Sequence, residues 1–296
     1  MLTARDIRLA GAPISWGVCE VPGWGLQLPP ERVFGEMASL NLTATELGPI
    51  GYLPPDPRSV LDRHGLRLIA GFVPLVLHEP HVDLAGADRI AAMLAGAGAE
   101  VFVAAAVADR DWSTPPAVRD WDRIAANLHE VEALAARHGL TVALHPHAGT
   151  LVETAQDVEH MLAAGDGGWC LDTGHLAIGG TDAAEFVRRH AGRIVHVHLK
   201  DVDARVAERL RAGELSLVQA TRAGLFRPLG RGDARIDRVV ELLDGSGYEG
   251  WLVLEQDTAI TGEEPPVGRG PVLDVRASIE YLHTLAPARG ERVAQS

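Results

Sequence analysis

A (β/α)8 barrel, an α/β fold in which helices surround a closed parallel sheet, is what this 296-residue sequence predicts. Three observations carry that expectation. Eight strand-like runs alternate with eight amphipathic, helix-like segments along the chain. The runs are nearly continuous in apolar residues, as strands covered on both faces must be. Four of them finish in imidazole or carboxylate: Leu-His-Pro-His at 144–147, Leu-Asp-Thr-Gly-His at 171–175, His-Val-His-Leu-Lys-Asp at 196–201 and Leu-Glu-Gln-Asp at 254–257. Because the carboxyl ends of barrel strands form the active-site face, these side chains would converge at one mouth of the sheet.

Taken in order, the strand-like runs are 8–16, 42–46, 67–72, 101–106, 141–145, 168–172, 193–199 and 251–255. The helix-like segments that follow them are 31–40, 57–64, 87–97, 117–138, 154–164, 182–190, 235–243 and 272–285. In the fourth helix Ile124, Leu128, Val131 and Leu134 recur at three- and four-residue spacing, and Gly139 follows as a stop. Gly65, after Arg63-His64, and Gly98 end two earlier helices in the same way. An open doubly wound sheet is the rival, but no G-x-G-x-x-G follows the first strand and the chain has no P-loop. Closure uses all eight βα units, so residues 1–286 are expected to form one barrel domain. The connection at 202–232 is long enough for an inserted functional loop with short helices at 204–212 and 215–220, and 287–296 reads as a C-terminal tail.

Composition narrows the function. With 47% hydrophobic and 23% charged residues the chain can bury a large core. Its net charge of −13 repels nucleic acid unless a basic groove offsets the field, and no basic run occurs. Cys19 and Cys170 are too few for a disulfide framework and read as reduced. No apolar run reaches the roughly 18 residues of a membrane span, and the N-terminus lacks a signal-like core, so the expected location is cytoplasmic. The expected partner is a small molecule, not a nucleic acid or a membrane, although an exposed apolar helix face could also make a homo-oligomer.

Asp172, His198 and Glu255 end the sixth, seventh and eighth strands and would be neighbours round the rim. Carboxylate with imidazole suits a divalent ion such as Mn²⁺, Co²⁺, Mg²⁺ or Zn²⁺, whereas a thiolate zinc site lacks its cysteines. Each has a plainer use by itself. Asp172 can cap the turn at Thr173-Gly174, His198 can be a hydrogen-bonded core residue beside His196, and Glu255 can pair with an arginine. A shared ion accounts for all three at once, since otherwise three buried strand ends carry costly polar groups for unrelated reasons. On the fifth strand His145 and His147 share parity, and Glu153 lies just beyond, where a helix start favours an acid. Any of the three could complete the metal site, and His147 could instead brace its loop. His175, Lys200 and Asp201 follow the ligands closely enough to reach substrate or a proton, and Glu46 in Thr-Glu-Leu-Gly-Pro is a further inward candidate; rim salt bridges are the alternative for all four.

Several stretches resemble one known family. They are Pro-Ile-Ser-Trp-Gly at 13–17, Cys-Glu-Val-Pro-Gly-Trp-Gly at 19–25, Thr-Glu-Leu-Gly-Pro at 45–49 with Gly-Tyr-Leu-Pro at 51–54, and His-Pro-His-Ala-Gly-Thr at 145–150. Leu-Asp-Thr-Gly-His at 171–175, His-Val-His-Leu-Lys-Asp at 196–201 and Tyr-Glu-Gly-Trp at 248–251 complete the set. Together they are similar to the inosose dehydratases, within the xylose isomerase-like barrel superfamily. The resemblance implies a Mn²⁺- or Co²⁺-dependent lyase that removes water from 2-keto-myo-inositol through an enolate. It implies Asp172, His198 and Glu255 as metal ligands, with a fifth-strand ligand that is usually Glu. His145 stands in that place, which leaves His145 and Glu153 as alternatives. Leu-Glu-Gln-Asp at 254–257 lacks an extra upstream acid and the 226–233 loop is looser than the family's, so the substrate is less determined than the chemistry. His147 or Glu153 is expected to move one proton and His175 or Lys200 the other, with Glu46 also catalytic. Trp16, Trp24 and Asp201 are expected to hold a polyol ketone, Trp24 being otherwise a loop anchor. A sugar or cyclitol isomerase or epimerase using the same enolate is the alternative.

Overall fold

The computed structural model describes residues 8–110, 112 and 119–285. Eight parallel strands close into a barrel: β1 (Leu9–Gly11), β2 (Ala44–Glu46), β3 (Arg67–Leu75), β4 (Val101–Ala106), β5 (Thr141–Leu144), β6 (Gly168–Asp172), β7 (Ile194–Leu199) and β8 (Leu252–Leu254). β1 closes the ring, with Gly11 in register with Leu254 on one side and with Thr45 on the other. Helices α1 (Pro30–Ser39), α2 (Arg58–Leu61), α3 (Leu84–Gly96), α4 (Trp121–Arg137), α5 (Ala155–Ala164), α6 (Thr173–Gly179) and α7 (Ala183–His190) occupy the connections as far as β7. After it come α8 (Ala204–Arg211), α9 (Leu217–Arg222), α10 (Ile236–Gly245) and α11 (Pro271–Leu285). None of the described helices is long and apolar enough to cross a membrane.

Local chemistry explains most boundaries. In α4, Ile124, Leu128, Val131 and Leu134 are all buried, and Asp120 caps the helix by accepting from the Arg123 N–H at 3.1 Å. Residues 117 and 118 of that expected helix, and the expected tail 287–296, lie outside the described residues. The first strand is shorter than its apolar run, because Pro13 brings no N–H to a ladder and opens a 3-10 turn through Trp16 instead. A helix the periodicity did not signal, α6, starts directly after β6, capped by the ligand candidate Asp172 itself. The 202–232 connection contains α8, α9 and a short antiparallel pair, Asp201–Val202 with Phe226–Arg227.

Strand parity then selects what enters the lumen. Ala10, Ala44, Val103, Ala143, Cys170 and Val253 come from six different strands yet form one buried cluster, which only the barrel interior can bring together. Their chain neighbours Leu144, Leu171, Leu252 and Leu254 instead pack in the larger core under the helices. Two residues beyond a lumen position, at the carboxyl end, lie Glu46, His145, Asp172 and Glu255. The lumen is thus apolar below and ionisable above.

Asp201 is not a substrate group in this structure. One carboxylate oxygen accepts the N–H groups of Gly230 and Gly232, both at 2.9 Å, and the other accepts those of Ala234 and Val202 at 3.0 Å. It is buried and braces the loop that returns to α10, because the turn after β7 directs it there and not to the mouth. Asp201→Ala removes the shared partner of four backbone N–H groups, of which that of Val202 is buried, and is expected to destabilise the fold by roughly 1–3 kcal/mol. Urea unfolding reads this out, and an unchanged midpoint would contradict the brace.

Candidate active site

The ionisable strand ends meet at the carboxyl mouth. Asp172 Oδ2 lies 3.1 Å from His145 Nε2, 3.5 Å from His198 Nδ1 and 3.5 Å from Lys200 Nζ. Glu255 Oε2 lies 3.1 Å from His198 Nδ1 and 3.0 Å from Lys200 Nζ, which also donates to Asp257 Oδ1 at 2.7 Å. From β2, Glu46 Oε1 accepts the Nε2–H of His196 at 2.6 Å and of His198 at 2.8 Å. All of these side chains are buried. Asp172 is held by its other oxygen, which accepts the Gly174 and His175 N–H groups at 2.9 and 2.8 Å. Gly174 matters here: a Cβ would stand 2.7 Å from Lys200 Cγ, so only glycine admits the lysine stem.

Lys200 is the only lysine of the chain, every other strongly basic side chain being arginine. Its ammonium lies within 3.5 Å of oxygens of Asp172, Glu255 and Asp257 and has three N–H donors to offer them. Burial opposes its charge, but Asp172, Asp257 and Glu255 outweigh that and hold it protonated well above the usual lysine range. Burial likewise opposes ionisation of Asp172 and Glu255, yet the neighbouring cations keep both low, Glu255 at about 2. Asp257 is pushed up to about 6 by burial, with Glu255 adding to the rise. His147 is lowered to about 3, chiefly by burial and then by His145 and Lys200. Burial opposes charge on His198, but Cys170, then Glu255 and Glu46, raise it well above the ordinary imidazole range. Four buried carboxylates therefore face one ammonium and one imidazolium, an excess of negative charge.

A divalent cation fits that excess. His198 Nδ1 and His145 Nδ1 are buried without a hydrogen-bond partner, and Nδ1 of His198 stands between two carboxylate oxygens but off the line of a hydrogen bond to either. Asp172, His198 and Glu255 have their ligand atoms within 4.8 Å of one another. His145 joins Asp172 and His175 in an overlapping group. Oxygen and nitrogen donors of this kind suit Mn²⁺, Co²⁺, Mg²⁺ or Zn²⁺.

A small cleft of about 70 Å³ lies over these groups and opens at the carboxyl mouth of the barrel. Glu46, His145, His147, Lys200, Glu255 and Asp257 form its polar floor, and Ile14, Val18, Trp24, Phe72, Trp112 and Leu217 line its apolar side. Of the residues expected from sequence, Trp24 lines the cleft, anchored by Nε1 to the Thr258 carbonyl at 2.7 Å. His175 lies against the floor, its Nε2 3.2 Å from Lys200 Nζ. Trp16 does not reach the cleft: it is fully buried with Nε1 donating to Glu36 Oε2 at 2.9 Å, because the 3-10 turn breaks strand parity before it. Glu153 joins none of the converging groups among the described residues. The capping box of Thr154 and Asp157 holds its backbone, and its carboxylate accepts from Gly149. Sequence reasoning missed Asp257, although it shares parity with Glu255, and Trp112, whose ring lies 5.4 Å from that of His147.

Several known proteins resemble this chain over most of its length. The chain is 33% identical to the rhizopine catabolism protein MocC of Rhizobium meliloti, over 98% of this chain and 92% of that protein. It is 31% identical to the inosose dehydratase of Geobacillus thermodenitrificans, over 88% and 93% of the two chains. Among solved structures, the IolI protein with a bound zinc atom superposes with a TM-score of 0.66 at 14% identity, covering 95% of this chain and 98% of that one, a likeness of fold. Residues 54–284 match the model of the xylose isomerase-like TIM barrel, the family to which this chain belongs.

Proposed function

We propose that the chain is a divalent-metal-dependent dehydratase of a cyclic polyol ketone, with 2-keto-myo-inositol the first substrate to test and Mn²⁺ or Co²⁺ the first ions. The convergence of Asp172, His198 and Glu255 beside Lys200 carries this reading. The relatives named as inosose dehydratases support dehydration over other enolate chemistry. His145, on Asp172, is the better fourth ligand than Glu153.

Loss of water β to a ketone needs a proton taken from the carbon beside the carbonyl and another given to the departing hydroxyl. When bound, the ion supplies Lewis-acid stabilisation of the charge that develops on the ketone oxygen, worth several kcal/mol. His147 is the base of this scheme: its Nδ1–H donates to the Ala148 carbonyl at 2.8 Å, which leaves Nε2 unprotonated toward the cleft. Lys200 is the acid, held charged by its carboxylates and aimed at the same space. Trp24 and Phe72 offer apolar surface to the C–H face of a polyol ring and exclude water.

Incubating the metal-loaded protein with a panel of keto-inositols and ketoses is expected to give enone absorbance and loss of water by mass for a keto-inositol. A product of unchanged mass would make the chain an isomerase or epimerase, and no product at all would remove the enzymatic reading. Asp172→Ala and His198→Ala are each expected to abolish metal retention and turnover together. Full activity with no bound ion would contradict the metal's part. Lys200→Met leaves three carboxylates uncompensated, so chelator-treated variant is expected to be less stable by roughly 3–5 kcal/mol. Loaded with metal, it is expected to lose about 10²–10⁴-fold in kcat. Wild-type stability and turnover in that variant would exclude Lys200 as the acid.

A further inference from the structure

Glu46 stands apart from the other carboxylates. It accepts Nε2–H from two imidazoles, and both bonds end on the same oxygen, Oε1. Its strand, β2, is the third neighbour of β7 round the closed sheet, so these bonds cross the lumen and do not run along it. His196 and His198 face inward together because they are two residues apart on β7. The three side chains are between 1% and 3% exposed, so water does not compete for the bonds.

This arrangement decides which nitrogen of His198 is free. Nε2 carries the proton given to Glu46, so Nδ1 is the nitrogen whose proton a cation would displace. That atom has no hydrogen-bond partner and sits 3.1 Å from Glu255 Oε2 and 3.5 Å from Asp172 Oδ2. We propose that Glu46 is a positioning residue: it fixes the ring and tautomer of His198 so that Nδ1 faces the cation position, and His196 pins Glu46 in place. The sequence-based expectation that Glu46 moves a proton is replaced by this role. A carboxylate on the far nitrogen of a ligating imidazole also raises its basicity, and loss of such a partner weakens metal binding by about 10–100-fold. The inference rests on the divalent-ion reading given above but not on the identity of the substrate.

Co²⁺ is the probe, because its absorption reports coordination directly. In a crystal of the wild-type protein with Co²⁺, the ion is expected on His198 Nδ1 while Nε2 keeps its bond to Glu46. An ion on Nε2, or on Glu46 itself, overturns the proposal and does so without any variant having to fold. In solution, Glu46→Gln keeps the side chain's shape and Glu46→Ala removes it. Both are expected to weaken Co²⁺ in a chelator competition, by about 10–100-fold for Ala, and to shift its ligand-field bands, with the far-ultraviolet circular dichroism of the wild type. Unchanged affinity and bands in folded variants that have lost turnover would make Glu46 a proton-transfer group and overturn the proposal. Wild-type protein that takes up no Co²⁺ overturns both this inference and the metal reading. Wild-type protein that binds Co²⁺ but dehydrates nothing overturns the proposed activity alone.

Discussion

Buried negative charge in excess of its partners is the constraint on which this structure turns. Glu46, Asp172, Glu255 and Asp257 are all withdrawn from water at one end of the barrel, where a carboxylate is tolerated only beside a compensating charge. Lys200 answers three of them and the imidazoles of β7 answer Glu46. The remainder is what a divalent ion would neutralise, and the unpartnered Nδ1 of His198 stands between the carboxylates of Asp172 and Glu255. A stable barrel does not need this arrangement; an apolar plug would serve stability better.

The fold makes the arrangement inexpensive to build. Small side chains such as Ala10, Ala44 and Ala143 fill the lower lumen, and on β2, β5, β6 and β8 the next inward position delivers Glu46, His145, Asp172 and Glu255. Asp172 does two things at once. One oxygen caps α6 through two backbone N–H groups, which aims the other at His145, His198 and Lys200. Glycine at 174 leaves room for the lysine stem alongside. Site and scaffold are therefore linked through ordinary helix capping.

Much of this was legible in the chain because a strand's period of two turns sequence spacing into direction. Ala143 to His145, Cys170 to Asp172 and Val253 to Glu255 are all steps of two, and each step leads from lumen to mouth. The misreadings fall where that period stops. Trp16 lies past Pro13, Asp201 lies past the end of β7, and Glu153 lies beyond a turn and is held by a capping box. Long-range pairing was invisible for a different reason. Nothing local tells that Glu46 would reach His196 and His198 across the lumen, about 150 residues away in the chain. Asp257 was legible by parity with Glu255, two residues before it in Leu-Glu-Gln-Asp.

That a single lysine serves the whole chain allows the central claim to be read from one atom. Protein labelled with ¹⁵N at lysine Nζ should give a single ammonium resonance, protected from exchange by burial. With Lys200 Nζ in contact with Asp172 and Glu255, one equivalent of Mn²⁺ bound at those carboxylates should broaden that resonance beyond detection by paramagnetic relaxation, and a chelator should restore it. A resonance that persists unchanged with Mn²⁺ in excess would show that no ion binds where the strands end, and would contradict the account.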